Sequence, residues 1–219
     1  METTFRITFI TIFVVNVLIS AFFRSRARQS EVLSRRSEPR RLRILRIIFA
    51  LPLFATILIY SIQPDWLAWA RLPLPVWLRW LAVVSGFLTI PLMYWLFKTI
   101  GGNVSETVLT KPNHQLVTNG PYRLVRHPLY TASSAMLIAL SLIAANGFML
   151  AATGAVIAAL PIIAREEEKN LIAKFGDDYR NYMQRTGRFL PWLTLKIETE
   201  KLTPDSLGST SLTVKEIDR

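Results

Sequence analysis

The feature that most constrains the fold is a run of 35 residues, 130–164, that contains no charged side chain. A helix crosses a hydrocarbon core of about 30 Å with roughly 20 apolar residues, so the run is too long for one ordinary span. Asn146-Gly147 lies near its middle, and such a pair favours a turn. The run therefore predicts a tight hairpin of two helices, at about 130–145 and 148–164, each short for a full span.

Three further segments, which precede the charge-free run, are apolar enough to cross a membrane. They are residues 5–23, 44–62 and 76–97, and Pro91 should kink the last of them, as membrane helices tolerate. The first is interpreted as a span rather than a cleaved signal peptide, because its basic n-region is weak. With 51% hydrophobic and 19% charged residues, the chain is predicted to be an all-α, polytopic membrane protein with about five transmembrane helices.

The positive charge is concentrated in one predicted loop. Most of the formal net charge of +11 comes from residues 24–46, which hold nine Arg and two Glu. The positive-inside rule places this loop in the cytoplasm, which puts the N-terminus outside and the C-terminus in the cytoplasm. Topology and attraction to anionic membrane lipid account for the charge, so lipid is an expected partner and nucleic acid is not.

The residue inventory excludes several kinds of site. The chain has no Cys, which excludes disulfides and cysteine nucleophiles, and its two His are His114 and His127. No metal site is expected from so few ligands. No GxGxxG fingerprint precedes a helix, which argues against a soluble Rossmann-type enzyme.

The long connection before the hairpin, residues 101–131, is too rich in aromatic and apolar side chains to be a plain loop. It contains the turn signal Asn119-Gly120-Pro121 and ends with Arg126-His127-Pro128. Pro128 suits the first turn of the following helix. Arg126 and His127 then lie at the membrane surface, either as headgroup anchors or as part of a site.

The segment after the hairpin, residues 165–191, begins by continuing the preceding helix. Glu166, Glu167 and Glu168 are consecutive, so they point to three different sides of that helix. Gly176 should end it, and a further helix carrying Tyr179 and Tyr182 should follow. A solvated helix start would also explain the glutamates. Because both polar segments flank the same hairpin on one side of the membrane, we interpret them together as a functional site.

These two segments resemble the isoprenylcysteine carboxyl methyltransferase family of integral membrane methyltransferases. The matching stretches are NHQLVTNGPYRLVRHPLYT and EEKNLIAKFGDDYRNYMQRTGRFLP, within residues 98–192. The ordered series HxLV, GPYR, RHPLY, EExxL, FGxxYxxY and R-x-x-P carries the resemblance. The chain then divides into an N-terminal membrane part at 1–97, a methyltransferase core at 98–192 and an expected mobile tail at 193–219.

The resemblance implies an S-adenosylmethionine pocket on the cytosolic side, closed by the C-terminal segment. Glu167 would accept hydrogen bonds from the ribose hydroxyls or the amino group, while Tyr faces would hold the sulfonium. Arg126, His127 or loop N–H groups would donate to the cofactor carboxylate. Catalytic roles fall to His127, Arg126 and Glu167. The implied cofactor-binding residues are His114, Gln115, Leu116, Val117, Tyr122, His127, Pro128, Leu129, Tyr130 and Glu167.

Two positions depart from the family pattern. Ala132 stands where the family has Gly, and Ile163 stands where the prenylcysteine enzymes place an Arg that is thought to hold the substrate carboxylate. The second departure argues against a prenylcysteine carboxylate as substrate. It does not argue against methyl transfer.

The predicted function is S-adenosylmethionine-dependent methylation of a lipophilic, membrane-embedded acceptor at oxygen, nitrogen or sulfur. A carboxylate acceptor needs no general base, whereas an amine or phenol must lose a proton to His127 or a Glu. One alternative is a membrane reductase that uses a nicotinamide cofactor, by fold analogy alone. The other is a non-enzymatic membrane protein whose Arg-rich loop binds lipid or a partner. No feature of the sequence specifies an oligomeric state.

Overall fold

The computed structural model describes residues 1–28, 39–101 and 116–191. These residues form six α-helices, two 3₁₀ helices and connecting segments, which confirms the predicted all-α fold. The 3₁₀ helices lie at Pro64–Ala70 and Gly120–Arg123. The α-helices are α1 (Glu2–Arg28), α2 (Arg40–Ile62), α3 (Val76–Ile100), α4 (Pro128–Ile143), α5 (Gly147–Phe175) and α6 (Asp177–Arg185).

Five of these helices are apolar, as predicted, but they are not equally long. Within the described ranges, α1, α2, α3 and α5 are long and apolar enough to cross a membrane, while α4 has 16 residues and is shorter. The chain is therefore an integral membrane protein. The side of the membrane on which each end lies stays a prediction, as does the division at residues 97 and 98.

The predicted hairpin is formed by α4 and α5, and its turn occupies Ala144, Ala145 and Asn146. Asn146 caps α5, because its side-chain oxygen accepts from the backbone N–H of Met149 at 2.9 Å, and its side-chain nitrogen donates to the carbonyl of Leu67 at 3.2 Å. Ala145 has a φ of 47°, a conformation that L-residues rarely adopt. The bond to Leu67 holds this turn against the preceding 3₁₀ helix.

The bundle core lies where α1, α2, α3, α4 and the start of α5 meet. Helix α3 packs against both α1 and α4, and α2 packs along α5. Helices α1 and α3 approach closely at Gly86. A Cβ atom added to this residue would lie 2.8 Å from Cδ1 of Ile12. The fully buried side chains of this core are Phe5, Phe9, Ile12, Ile57, Leu140, Ile143 and Met149.

One end of the bundle is closed by arginines that bind helix ends. Arg79 is buried, pairs with Glu2 at 2.6 Å and donates to the carbonyl of Ile143 at 2.8 and 3.0 Å. Arg6 donates to the last carbonyls of α2. Because these arginines satisfy carbonyls that no helical N–H can reach, they stabilise the helix ends. The two polar segments of interest come together at the opposite end.

The close approach at Gly86 leaves little room for a larger side chain between α1 and α3. We expect Gly86→Leu to lower the stability by about 1–3 kcal/mol, because the added side chain overpacks against Ile12. Thermal unfolding in detergent, followed by tryptophan fluorescence, measures the effect. Gly154→Leu is the matched control, since no atom lies within 4 Å of the corresponding Cβ position. Equal melting temperatures for the two variants would contradict the prediction.

Candidate active site

A buried carboxylate joins the two polar segments. Glu168 lies on the C-terminal extension of α5 and is 3% exposed. Its Oε1 accepts from Nε of Arg126 at 3.0 Å and lies 3.2 Å from Nε2 of His127. Arg188 reaches it from the C-terminal side, with Nε 3.1 Å from Oε1 and Nη2 2.6 Å from Oε2. We call Glu168, Arg126, His127 and Arg188 the Glu168 cluster.

Backbone hydrogen bonds also join the residues before α4 to the residues after α6. The N–H of Arg126 donates to the carbonyl of Gly187 at 2.9 Å, and that of His127 donates to the carbonyl of Arg188 at 3.0 Å. The hydroxyl of Thr131 donates to the carbonyl of Phe189 at 2.7 Å. The residues before α4 and the residues after α6 therefore run side by side, and the C-terminal segment 186–191 covers the start of α4.

Arg126 is committed to the protein itself. Besides Glu168, it donates to the carbonyl of Met183 at 3.0 Å and to the carbonyl of Thr186. Its side chain is 8% exposed. These contacts place Arg126 in the framework of the site, on the side that faces α6. The predicted role as donor to a cofactor carboxylate would have to be met by its remaining Nη2 hydrogens.

Helix α6 packs two tyrosines beneath the first polar segment. Gly176 has a φ of 57° and separates α5 from α6, as predicted. Tyr179 and Tyr182 are buried, and the hydroxyl of Tyr182 donates to the carbonyl of Tyr122. Burial raises the pKa of Tyr182 to about 12, so its phenol keeps the proton that this hydrogen bond requires. The hydrogen bond to Glu168 likewise raises the pKa of the Arg188 guanidinium.

The three consecutive glutamates lie in three different environments, as their spacing predicted. Glu166 is on the surface, where it pairs with Arg41 at 3.1 Å and Lys169 at 3.0 Å. Glu168 is enclosed by its cluster. Glu167 is the most exposed of the three, with a side chain that is 32% exposed against 22% for Glu166 and 4% for Glu168. It is therefore the glutamate of the three that can meet both a ligand and the interior of the site.

The surroundings of Glu167 are the residues that the RHPLY motif supplies. Its Oε2 accepts from the hydroxyl of Tyr130 at 3.1 Å and lies 3.6 Å from Nδ1 of His127. The imidazole ring stacks on the ring of Tyr130, with centroids 5.5 Å apart and planes 18° apart. Phe189 packs on the imidazole at 5.8 Å. His127 thus lies between two carboxylates and two aromatic rings.

A second, apolar group adjoins this polar one. Tyr122 packs with Phe97 and Ala132, and the half-buried Val117 and Leu129 pack against them. The hydroxyl of Tyr122 is buried and has no hydrogen-bond partner among the described residues. An unpaired buried hydroxyl is costly, so this oxygen is a candidate ligand contact.

The remaining predicted residues fall in three different places. Pro128 is buried and begins α4, as predicted, and Leu116 is half-buried on the approach to it. Ile163 is buried against Leu42. His114 and Gln115 lie outside the described residues, as do the predicted tail and part of the Arg-rich loop.

Sequence reasoning missed Glu168 and Arg188 as parts of the site. A signal for Glu168 exists, because it shares a helical stripe with Ala164 and Leu171. A carboxylate on an apolar stripe predicts a buried, paired group. No local pattern indicates that Arg188 is its partner, since the two are 20 positions apart.

Comparison with known proteins confirms the family resemblance. Residues 81–173 match the model of the isoprenylcysteine carboxyl methyltransferase (ICMT) family. Methanethiol S-methyltransferase 1 of Bradyrhizobium diazoefficiens is 35% identical over 71 residues, which are 32% of this chain and 24% of that protein. The cobalt-zinc-cadmium resistance protein CzcN of Cupriavidus metallidurans is 33% identical over 86 residues, 39% of each protein.

The matched segments span less than half the length of these curated relatives. Among solved structures, a eukaryotic intramembrane Ras methyltransferase, isoprenylcysteine carboxyl methyltransferase, aligns with a TM-score of 0.47 and 21% sequence identity. That alignment covers 84% of this chain and 68% of the other.

The cluster predicts how the C-terminal segment is held. We expect Arg188→Gln to speed hydrogen exchange at the amides of Arg126 and His127 about tenfold or more, because these amides donate to the carbonyls of residues 187 and 188. Exchange of these amides requires local opening of the pairing. Arg180→Gln is the control, since Arg180 forms an exposed pair with Asp177 at 2.7 Å. An unchanged exchange rate in Arg188→Gln would contradict this account.

Proposed function

We propose that this chain transfers the methyl group of S-adenosylmethionine to a lipophilic acceptor that reaches the site from the bilayer. The observation that carries the proposal is the position of Glu167, a part-exposed carboxylate beside His127 and Tyr130 at one end of an apolar bundle. The family match over residues 81–173 supports it. The proposed orientation puts this end of the bundle in the cytoplasm.

The chemistry of these side chains fits the cofactor. Glu167 offers carboxylate oxygens to ribose hydroxyls or to an ammonium group. The ring of Tyr130 and the carboxylate both favour a neighbouring sulfonium cation. Val117 and Leu129 offer apolar surface to an adenine, and the unpaired hydroxyl of Tyr122 adjoins that surface.

When bound, the cofactor supplies an activated methyl group on a sulfonium. The protein then has to align the acceptor and exclude water, and alignment of this kind contributes up to roughly 7–11 kcal/mol in favourable cases. The Glu168 cluster fixes His127 for that task, and the C-terminal segment 186–191 covers the site. Phe189 adds an apolar face on the covered side.

The acceptor side of the site is apolar. Ile163 lies one helical turn before Glu167 and is buried with Leu42, while Leu45 and Tyr130 pack against this pair. These residues come from α2, α4 and α5, so an acceptor would approach between the helices. The relatives named methanethiol S-methyltransferase favour a thiol among the candidate acceptors, alongside phenols and amines of lipophilic molecules.

Binding of S-adenosylhomocysteine tests the cofactor site directly. We expect the detergent-solubilised protein to bind it in isothermal titration calorimetry, and Glu167→Gln to weaken binding at least tenfold. This corresponds to at least about 1.4 kcal/mol, close to the lower end of the contribution of a hydrogen bond to a charged group.

Glu166→Gln provides the matched control, because Glu166 differs from its neighbour by one position and is paired on the surface. Its affinity should equal that of the unmodified chain. Absence of binding by the unmodified chain would refute the proposed cofactor. Equal affinities for the Glu167 and Glu166 variants would refute the assignment of Glu167.

A further inference from the structure

We propose that the acceptor is methylated at an atom that must lose a proton, that Nδ1 of His127 takes this proton, and that Glu168 is the positioning residue that directs Nδ1 to the task. A thiol is the acceptor class used to test this, because the proposed function names it among the candidate acceptors. This inference rests on the proposed methyl transfer and specifies its substrate.

The contact between Glu168 and His127 decides which nitrogen is available. Two guanidinium groups, those of Arg126 and Arg188, donate to the Glu168 carboxylate, and such pairs favour its ionised form. An ionised carboxylate only accepts hydrogen bonds. Nε2 of His127, 3.2 Å from Oε1 of Glu168, must therefore carry a hydrogen, which leaves Nδ1 as the nitrogen that can accept a proton.

The same contacts turn Nδ1 toward Glu167, the part-exposed carboxylate that we assign to the cofactor. It lies 3.6 Å from Oε2 of Glu167, which is longer than a hydrogen bond. Tyr130 and Phe189 fix the ring plane, and the residue is 5% exposed. A carboxylate that orients an imidazole through one nitrogen and leaves the other for a reacting group is the arrangement of a general base.

This arrangement distinguishes between acceptor classes. A carboxylate is already a nucleophile and would gain nothing from a proton acceptor, whereas a neutral thiol or phenol would. No arginine or lysine stands at position 163, one turn from Glu167, where buried Ile163 contacts Leu42 instead. Among the described residues, Glu167, Glu168 and Tyr130 lie against the His127 ring. Arg126 and Arg188 act on it through Glu168, and the charges of Arg24 and Arg46 lie near Tyr130.

The step balances for a thiol. The sulfur lone pair of the acceptor forms the new bond to the methyl carbon, and the S–H proton passes to Nδ1 of His127. The bond between that carbon and the cofactor sulfonium breaks, and its electron pair stays on the cofactor sulfur as a neutral thioether. The imidazolium then returns its proton to water when the products leave.

Two isomeric thiols that differ in acidity distinguish removal of the acceptor's proton from the other requirements of methyl transfer. At about pH 8, phenylmethanethiol is still largely protonated, whereas 4-methylbenzenethiol is largely ionised, and the thiolate is the nucleophilic form. In phospholipid nanodiscs with methyl-tritiated cofactor, we expect His127→Gln to lower turnover of phenylmethanethiol about 100-fold, the lower end of general-base contributions. Turnover of 4-methylbenzenethiol should fall by a much smaller factor, because most of that acceptor has no proton to lose, and the ratio of the two losses is the readout.

The positioning role of Glu168 has its own comparison. Glu168→Gln should depress turnover of phenylmethanethiol more than that of its isomer. Arg188→Gln breaks the same cluster without changing the group at Nε2, so it should affect both thiols equally. If His127→Gln does not fold, this pair of variants carries the test. If Glu168→Gln lowers the turnover of both thiols equally, the role of Glu168 is purely structural and the inference is overturned.

The remaining outcomes separate this inference from the proposed function. If the unmodified chain binds no S-adenosylhomocysteine, the proposed function fails. If it binds but methylates tetradecanoate and neither thiol, or no probe at all, methyl transfer to a protonated nucleophile is overturned while the cofactor site stands. If His127→Gln lowers the turnover of both thiols equally and also weakens the binding of S-adenosylhomocysteine, His127 is a cofactor ligand and not the base.

Discussion

The structure at this end of the bundle depends on one buried negative charge. Removing a carboxylate from water costs several kcal/mol, and the cost is offset only by close and well-oriented partners. Glu168 has such partners in Arg126, His127 and Arg188. Because these partners lie before α4 and after α6, satisfying this charge forces two distant parts of the chain together over the end of α5.

The balance of charge around His127 follows from the same requirement. Arg126 and Arg188 both pair with Glu168, whereas Glu167 lies against the other nitrogen of the His127 ring. A neutral imidazole is the state that suits a neighbouring sulfonium cation, and it is also the state that can accept a proton.

Much of the fold follows from patterns that are local in the sequence. The turn at Asn146, the start of α4 at Pro128 and the end of α5 at Gly176 are set by residues whose backbone preferences act within a few positions. Helix α1 extends beyond the predicted span 5–23 and ends at Arg28, because its last, polar turn continues the helix without any apolar periodicity. The prediction that each hairpin helix is short for a full span is right for α4, which has 16 residues, and wrong for α5, which continues to Phe175 and is long enough to cross a membrane.

The candidate site was predictable where motifs supply its residues and not where tertiary pairing does. Glu167 and Tyr130 could be named from sequence, and their contact at 3.1 Å brings two motifs together. The sequence did not indicate that Arg126 binds other parts of the protein, or that it shares the acceptor Glu168 with Arg188. Ion pairing between residues so far apart depends on how α5 and α6 are packed, which no local pattern encodes.

The backbone pairing of Arg126 with Gly187 and of His127 with Arg188 also sets an order of events during synthesis. The ribosome makes the residues before α4, then the hairpin with Glu168, and only later the arginine that completes the cluster. Until residue 188 has emerged, Glu168 lacks its bidentate partner. The helices can thus enter the membrane one by one, while the site closes only on a chain translated through this segment.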